Sequence, residues 1–404
     1  TYCHIAGNKK DANNAGEGIH ISEKKLTFTN KLNINTNNSI YLETVNSNVP
    51  TLEFPSGSSA PNFYNTSLKV DANFSNKQVI TTTQVDTYYS KIVLVPTTFT
   101  SVVFDSKLMV ISNDYVVSSS RSLQTVIDSL KTSATESNPG IIVFNSNITE
   151  DSNSKYYTNT QSVTYYSKAV FKNNGIGTVR KYIVLGQGKT YDANRSGSAP
   201  GSAFAVETGV TVEIYNLQIK GGNAMSSSWS TGGGIFTRGS VYLKNSTYVG
   251  KPSYSPCTYT QNDIQNSPAN KAGQGGGVYV ANGGYLEVDE TSSICGNQVG
   301  YISGIDIRGG GLYVKSGGFA KFKGTSTTKM AKVCYNLSTY GTYGAAIFVE
   351  GSGEVYFSNT EIHNNWIQSI GVPGLFLCDQ AIFYAYNLVM HDNTNNVVPN
   401  DADD

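Results

Sequence analysis

Short apolar triplets recur in the second half of the chain, each directly after a run of small residues. The blocks read GGGIFT, GGGVYV, GGGLYV and GAAIFV, and they begin at Gly232, Gly275, Gly309 and Gly344. Successive blocks begin 43, 34 and 35 residues apart, a spacing typical of stacked supersecondary units. Each block is followed by a turn and a second alternating strand. A third short strand then ends in a phrase such as CGN at 295–297.

Three short strands per repeat, with few helical patterns, predict an all-β right-handed parallel β-helix, a solenoid in which each repeat is one coil. Glycine suits the corners of such coils, where a Cβ would collide with the next coil or force an unfavourable φ. Asparagines recur three residues before an inward position. Equivalent residues on adjacent coils lie about 4.8 Å apart, so we predict a hydrogen-bonded ladder of Asn216, Asn245, Asn359 and Asn387.

The middle residues of the four apolar triplets fall in one column. If the flanking aliphatic residues face the core, the middle residues face outward. The sequence therefore predicts an exposed aromatic column, which is either a binding stripe or a packed surface ladder, at Phe236, Tyr279, Tyr313 and Phe348.

The repeated phrases resemble those of a known family. GGGVYV and GGGLYV, preceded by strands that end in CGN or NDIQN, are similar to the GGA[I/L/V] and FxxN repeats of chlamydial polymorphic outer-membrane proteins. The resemblance covers about residues 200 to 393. This chain has Gly-Gly-Gly or Gly-Ala-Ala in place of Gly-Gly-Ala, and Ile or Val in place of Phe. The resemblance implies a surface-exposed, adhesin-like right-handed β-helix.

The first half is less regular. Leu123, Val126, Ile127 and Leu130 follow helical spacing after the N-cap candidates Ser120 and Ser122, and such a helix would cap the first coil. Because 16–22 resembles a glycine block, we expect the chain to open in the middle of a coil, either as a fragment of a longer array or as a coil that completes a neighbouring molecule. We predict five segments: β-helix coil at 1–50, a β-rich connector at 51–120, the cap helix and first irregular coils at 121–200, regular β-helix at 201–396 and an acidic tail at 397–404.

The charge balance limits the partners. Lys and Arg together number 29, as do Asp and Glu. Because nucleic acids and anionic lipids are bound through a basic surplus, we expect neither as the main partner. No run of 18 apolar residues occurs, so no transmembrane helix is expected. The polar, glycine-rich and tyrosine-rich composition is typical of an extracellular or outer-surface protein.

Candidate chemistry is sparse. Acidic residues of the regular coils are scattered, so we predict no catalytic residues and no cofactor. Residues that follow inward positions of the third strand form one outward column, comprising Lys220, Cys295, Cys334, His363 and His391. The two thiols and two imidazoles of this column span about 14 Å, which is too far for all four to bind one tetrahedral ion, so no metal is expected. Cys295 and Cys334 lie close enough for a disulfide, with free thiols as the alternative.

The sequence thus favours a non-enzymatic, adhesin-like structural protein that presents a binding surface to a host surface molecule, a glycan or another copy of itself. Two alternatives stay open. One is a carbohydrate-active enzyme, a polysaccharide lyase or hydrolase on a pectate-lyase-like fold. The other is a subunit of an extracellular fibre built by end-to-end stacking.

Overall fold

A computed structural model describes the chain in two compact units, 1–116 and 117–404. In residues 1–98 it describes only the short strands. From residue 99 it describes the chain to 395, apart from 105–106, 153–155, 159–163, 174–178, 197, 253–258 and 341–342. The predicted acidic tail lies outside the described residues.

The second unit is a parallel β-helix of about 8 turns. Sheet A is bent, and in each turn the chain passes along its first arm, the front face, and then along its second arm, the back face. From the turn that begins with Val210–Lys220, the chain then passes through sheet C before it enters sheet B. The two earlier turns have no described strand of sheet C. The strands of sheet A are Gly140–Phe144, Ile148–Thr149, Arg180–Asp192, Val210–Lys220, Ser240–Lys244, Tyr248–Gly250, Tyr285–Asp289, Ser293–Cys295, Phe319–Lys323, Ala331–Cys334, Glu354–His363 and Ile382–His391. Sheet B contains Tyr156–Thr158, Thr164–Phe171, Ser202–Val206, Ile235–Thr237, Val278–Val280, Leu312–Val314, Ile347–Val349 and Leu375–Leu377. Sheet C contains Asn223–Ala224, Lys271–Ala272, Gln298–Val299, Leu337–Ser338, Trp366–Ile367 and Thr394–Asn395.

The first unit also contains three sheets of mainly parallel strands. Parallel pairing continues to Val93–Val95, beyond residue 50, and two antiparallel strands follow. The segment that the sequence leaves as a connector of unspecified fold therefore contains parallel strands and a hairpin. The strands are Cys3–Ile5, Ile19–Ser22, Lys25–Thr27, Leu32–Ile34, Ser39–Glu43, Thr51–Glu53, Asn62–Phe63, Ser67–Val70, Gln78–Thr81, Val93–Val95, Phe99–Phe104 and Lys107–Ser112, followed by the 3-10 helix Asn113–Tyr115. The strand Val116–Val117, at the boundary of the two units, is the first strand of sheet A.

Helix α1, Leu123–Leu130, caps the coils as predicted. The Ser122 side chain accepts a hydrogen bond from the Thr125 N–H at its N-terminus, and the apolar residues of the helix are buried. The Oε1 atom of Gln124 accepts from the Val170 N–H at 2.7 Å. A side-chain amide therefore satisfies a backbone group of sheet B that a further strand would otherwise pair.

The first glycine of each block is required by its backbone. Gly232, Gly275, Gly309 and Gly344 have φ between +62° and +69°, a region in which most residues are strained. A Cβ on any of the four would also lie 2.1 to 2.5 Å from the carbonyl oxygen three residues further on. The second and third positions are less strict, since Ala345 and Ala346 occupy them in the last block.

The four asparagines predicted to form a ladder occupy one corner of the coils, but most of them are not joined by side-chain hydrogen bonds. Asn216, Asn245, Asn359 and Asn387 lie where the front and back faces of sheet A meet, each with φ between +44° and +53°. Glu290 and Gly324 occupy the same corner in the coils between them. Among the described contacts, the one side-chain hydrogen bond within this set joins Asn387 to Asn359.

A continuous ladder occupies the next corner, between the back of sheet A and sheet C. It is built from five asparagines, and the Nδ2 atom of each of the first four donates to the Oδ1 atom of the asparagine in the following coil at 2.8 to 3.1 Å. Each of the first four Nδ2 atoms also donates to a backbone carbonyl, for example from Asn336 to Ile294. This ladder consists of Asn270, Asn297, Asn336, Asn365 and Asn393. The last four belong to the repeated phrases that close each unit, so the sequence contained the signal without showing which corner was buried.

Candidate functional site

The aromatic column is stacked as its spacing predicts. In-register pairing places the middle residues of successive sheet B strands above one another. Neighbouring ring centroids are 4.9 to 5.6 Å apart and nearly parallel. The column contains Phe236, Tyr279, Tyr313 and Phe348, and Phe376 extends it.

The prediction that this column is exposed is wrong. Its four predicted members are 0 to 7 % exposed, because each ring covers the faces of its neighbours and side chains from flanking positions cover the ring edges. Trp229 packs against Phe236, and the Arg308 guanidinium lies 4.7 Å from the Phe348 ring centroid. Burial raises the pKa of Tyr313 and of Tyr279. The column is therefore a packed ladder and offers no open aromatic face to a ligand.

Exposed aromatic faces occur instead at a neighbouring corner. Tyr301, Tyr340 and Tyr343 are 60 %, 58 % and 50 % exposed, and they line a cleft of about 230 Å³. The rings of Tyr301 and Tyr340 are 5.2 Å apart. At the same cleft, Asp306 accepts a hydrogen bond from Arg308 at 2.9 Å. We call these five residues the tyrosine cleft. The repeat pattern does not predict this cleft, because the residues of the cleft lie in irregular connections outside the repeated phrases.

A larger cleft, of about 340 Å³, lies beside the aromatic column. Its walls include Phe236 and Tyr279, whose faces are covered within the stack, together with Arg238 and Lys315. It therefore presents charged side chains and ring edges. The tyrosine cleft is the better candidate for a binding site because each of its three tyrosines is at least 50 % exposed.

The predicted outward column of thiols and imidazoles is present in register. Cys295, Cys334, His363 and His391 follow one another on four successive coils. Both cysteines are 0 % exposed, and no disulfide joins them; of the two alternatives, the possible disulfide is therefore not formed here. Burial raises the pKa of Cys334, but hydrogen bonding to Cys295 and His363 outweighs it and lowers the pKa to about 6.

Helix α2, Gln261–Asn266, explains why outward-facing cysteines are buried. It begins with a capping box between Thr260 and Asp263. Its residue Ile264, 0 % exposed, packs in one apolar cluster with Cys295 and Cys334. The helix lies in the connection between sheets A and C that lengthens this repeat. The 43-residue spacing was the available signal for an additional element, although not for what that element covers.

Several carboxylates of the regular coils are engaged in ion pairs. Glu213 lies 2.8 Å from Lys181 and 3.0 Å from Lys244. Burial raises its pKa, but hydrogen bonds from Lys181, Tyr215 and Lys244 dominate and lower the pKa to about 2. Glu350 lies 2.7 Å from Lys315. Both carboxylates are thus held ionised by neighbouring lysines, an arrangement suited to joining adjacent coils.

Comparison with known proteins does not assign this chain to a family. No protein-family model matches the sequence, and no curated protein matches it. One solved structure, described as a TibC-catalysed hyper-glycosylated TibA55-350 fragment, aligns over 91 % of this chain and 93 % of that chain at 9 % identity and a TM-score of 0.13. Likeness at this level supports no argument about this chain. What the structure itself defines is the class, a parallel β-helix repeat protein. In the described part of the chain, no helix has both the length and the apolar character needed to cross a membrane.

Proposed function

We propose that this chain is a non-enzymatic, adhesin-like β-helix of the extracellular surface, and that its tyrosine cleft binds a glycan. The observation that supports this is the exposure of Tyr301, Tyr340 and Tyr343 in a fold that packs its other aromatic column. Tyrosine is well suited to binding, because a rigid ring supplies contact area and a hydroxyl supplies a hydrogen bond.

The polar residues of the cleft suit a glycan. The C–H faces of a sugar ring pack on flat aromatic surfaces, while its hydroxyls need donors and acceptors at the rim. Asp306 and Arg308 supply both, and the Asp306 side chain is 75 % exposed. A host surface protein is the alternative ligand. The ion-paired carboxylates favour a scaffold over a carbohydrate-active enzyme.

A glycan array tests the proposal. We expect the full chain to bind a defined subset of glycans and the Tyr301→Ala/Tyr340→Ala variant to lose at least about tenfold in signal, since both aromatic walls are removed. Tyr386→Ala is the matched control, because Tyr386 is 73 % exposed but outside the cleft, and it should bind normally. Absence of glycan binding by the wild-type chain, or equal loss in the control, would contradict the proposal. Release of reducing ends from bound glycans would favour the enzyme alternative.

End-to-end association is a second candidate function, supported by the strand Ile382–His391. Phe383 and Met390 occupy inward positions of this strand and are 39 % and 45 % exposed. Their partners one coil earlier, Val355 and Ile362, are both 0 % exposed. Within the described residues, the apolar core is open at this coil, and a second copy of the chain would cover it.

Sedimentation velocity over a concentration series tests this association. We expect the wild-type chain to form species that grow with concentration, and Phe383→Lys to shift them toward monomer, because a charge would then lie in the covered surface. Lys321→Glu, on the outer face of an interior coil, is the control. A wild-type chain that stays monomeric at every concentration excludes the association.

A further inference from the structure

The two histidines of the thiol and imidazole column lie close enough together to share one ion, although the column as a whole is too long to do so. The rings of His363 and His391 are stacked, with centroids 5.2 Å apart and an interplanar angle of 6°. Glu361 lies two residues before His363 on the same strand, so its side chain faces the same side. The ligand atoms of these three residues all lie within 4.8 Å of one another.

Both imidazoles are oriented through Nδ1. The Nδ1 of His363 lies 2.7 Å from Asn364 Oδ1, and the Nδ1 of His391 lies 2.7 Å from Asp392 Oδ2. An oxygen at that distance places a proton on each Nδ1, so Nε2 is the ring atom that each histidine can offer to a metal. A carboxylate or amide oxygen behind Nδ1 is the usual outer support of a metal-binding histidine.

The Nε2 atoms face a carboxylate and a buried space. Nε2 of His391 lies 2.9 Å from Glu361 Oε1. Nε2 of His363 is buried and, within the described part of the chain, makes no hydrogen bond of normal length, with the Cys334 thiol as its polar neighbour. Burial raises the pKa of Glu361, but His391, His363 and Lys332 outweigh it and lower the pKa. Nε2 of His391 therefore donates its proton to the ionised Glu361 carboxylate, and its contacts with Glu361 and Asp392 raise the pKa of His391. A metal that binds this nitrogen must displace the proton.

We propose that Glu361, His363 and His391 bind one divalent transition metal of the zinc class, with the fourth position open to solvent. Imidazole nitrogen and carboxylate oxygen are ligands that zinc accepts at about 2.0 to 2.2 Å. Ligand atoms around such an ion are roughly 3.4 Å apart. The widest of the three separations must therefore shorten by about an ångström, whereas the 2.9 Å between His391 Nε2 and Glu361 Oε1 must lengthen. One stacked ring must tilt as well. His391 and Glu361 can move because their side chains are 42 % and 21 % exposed.

Two neighbouring groups oppose or limit binding. Lys332 lies 3.3 Å from Glu361 and must give up this ion pair when the metal binds. Cys334 belongs to a pair of buried thiols that could compete for the same ion. A metal held by the two imidazoles would connect the strands Glu354–His363 and Ile382–His391 and so hold two successive coils together.

Zinc titration of the chelator-treated full chain, followed by calorimetry, tests the site. We expect one equivalent of zinc per chain and at least a hundredfold weaker binding for His391→Ala and for Glu361→Gln. These residues are partly exposed, so neither variant should prevent folding. The double variant His4→Ala/His20→Ala is the control, since it removes the chain's two remaining histidines and should bind normally.

Cobalt substitution separates the proposed ligands from the thiols. We expect visible d–d bands without a thiolate-to-cobalt charge-transfer band. The proposal is overturned if the wild-type chain binds no zinc, if binding survives His391→Ala, or if binding is lost in Cys295→Ser/Cys334→Ser with a thiolate band in the wild type.

Discussion

Replacing Asn336 by alanine is expected to lower the free energy of unfolding of its coils by about 3 to 5 kcal/mol. Asn336 is 0 % exposed. Its Nδ2 donates to Ile294 O and to Asn365 Oδ1, and its Oδ1 accepts from the N–H and the Nδ2 of Asn297. Alanine removes all four hydrogen bonds, and the Ile294 carbonyl and the Asn297 N–H of the preceding coil lose this side chain as their partner.

Hydrogen exchange with mass spectrometry is the appropriate measurement, because coils of a repeat protein can open locally. Amides of 293–299 and 331–338 should lose protection first. Asn245→Gly is the control: Asn245 is exposed, and its φ of +51° suits glycine, so stability should change by less than about 0.5 kcal/mol. Equal protection in both variants would show that the ladder contributes little.

The second large effect is expected at the first glycine of a block. Gly275→Ala should destabilise the protein by about 3 kcal/mol, because alanine is strained at a φ of +62° and its Cβ would lie 2.4 Å from Val278 O. Gly283 has a φ of +74° with nothing within 4 Å of a Cβ. Gly283→Ala should therefore cost only about 1 kcal/mol. Urea unfolding of both variants measures the difference, and similar midpoints would mean that the backbone yields to the collision.

The fold could be predicted because the repeat period itself contains the information. Residues one coil apart must stack, so the spacing of the glycine blocks alone determines the register of the aromatic column. Exposure could not be obtained in the same way. Whether Tyr313 is covered depends on side chains from flanking positions of several coils, and no local pattern encodes their convergence.

The misplaced ladder has a related cause. Two sets of asparagines recur with the same period, so periodicity cannot decide between them. The deciding fact is which corner faces inward, where Asn336 is fully buried while Asn245 is exposed. The cysteines show a third limit, since outward-facing Cys295 is buried in a cluster to which helix α2 contributes Ile264. That contact joins positions in different coils and is not periodic.

The buried ladder also determines how such a chain can change in length. Every asparagine from Asn297 to Asn365 donates to the following coil and accepts from the preceding one, so each interior coil offers the same contacts above and below. A gene that duplicates or deletes one complete coil would restore every bond at the junction. A shorter insertion fits where it leaves the strands and the ladder unchanged, as does the 251–269 segment bearing helix α2, which ends directly before Asn270 of the ladder. Variation among descendants of this chain should therefore come in whole repeats or in side loops.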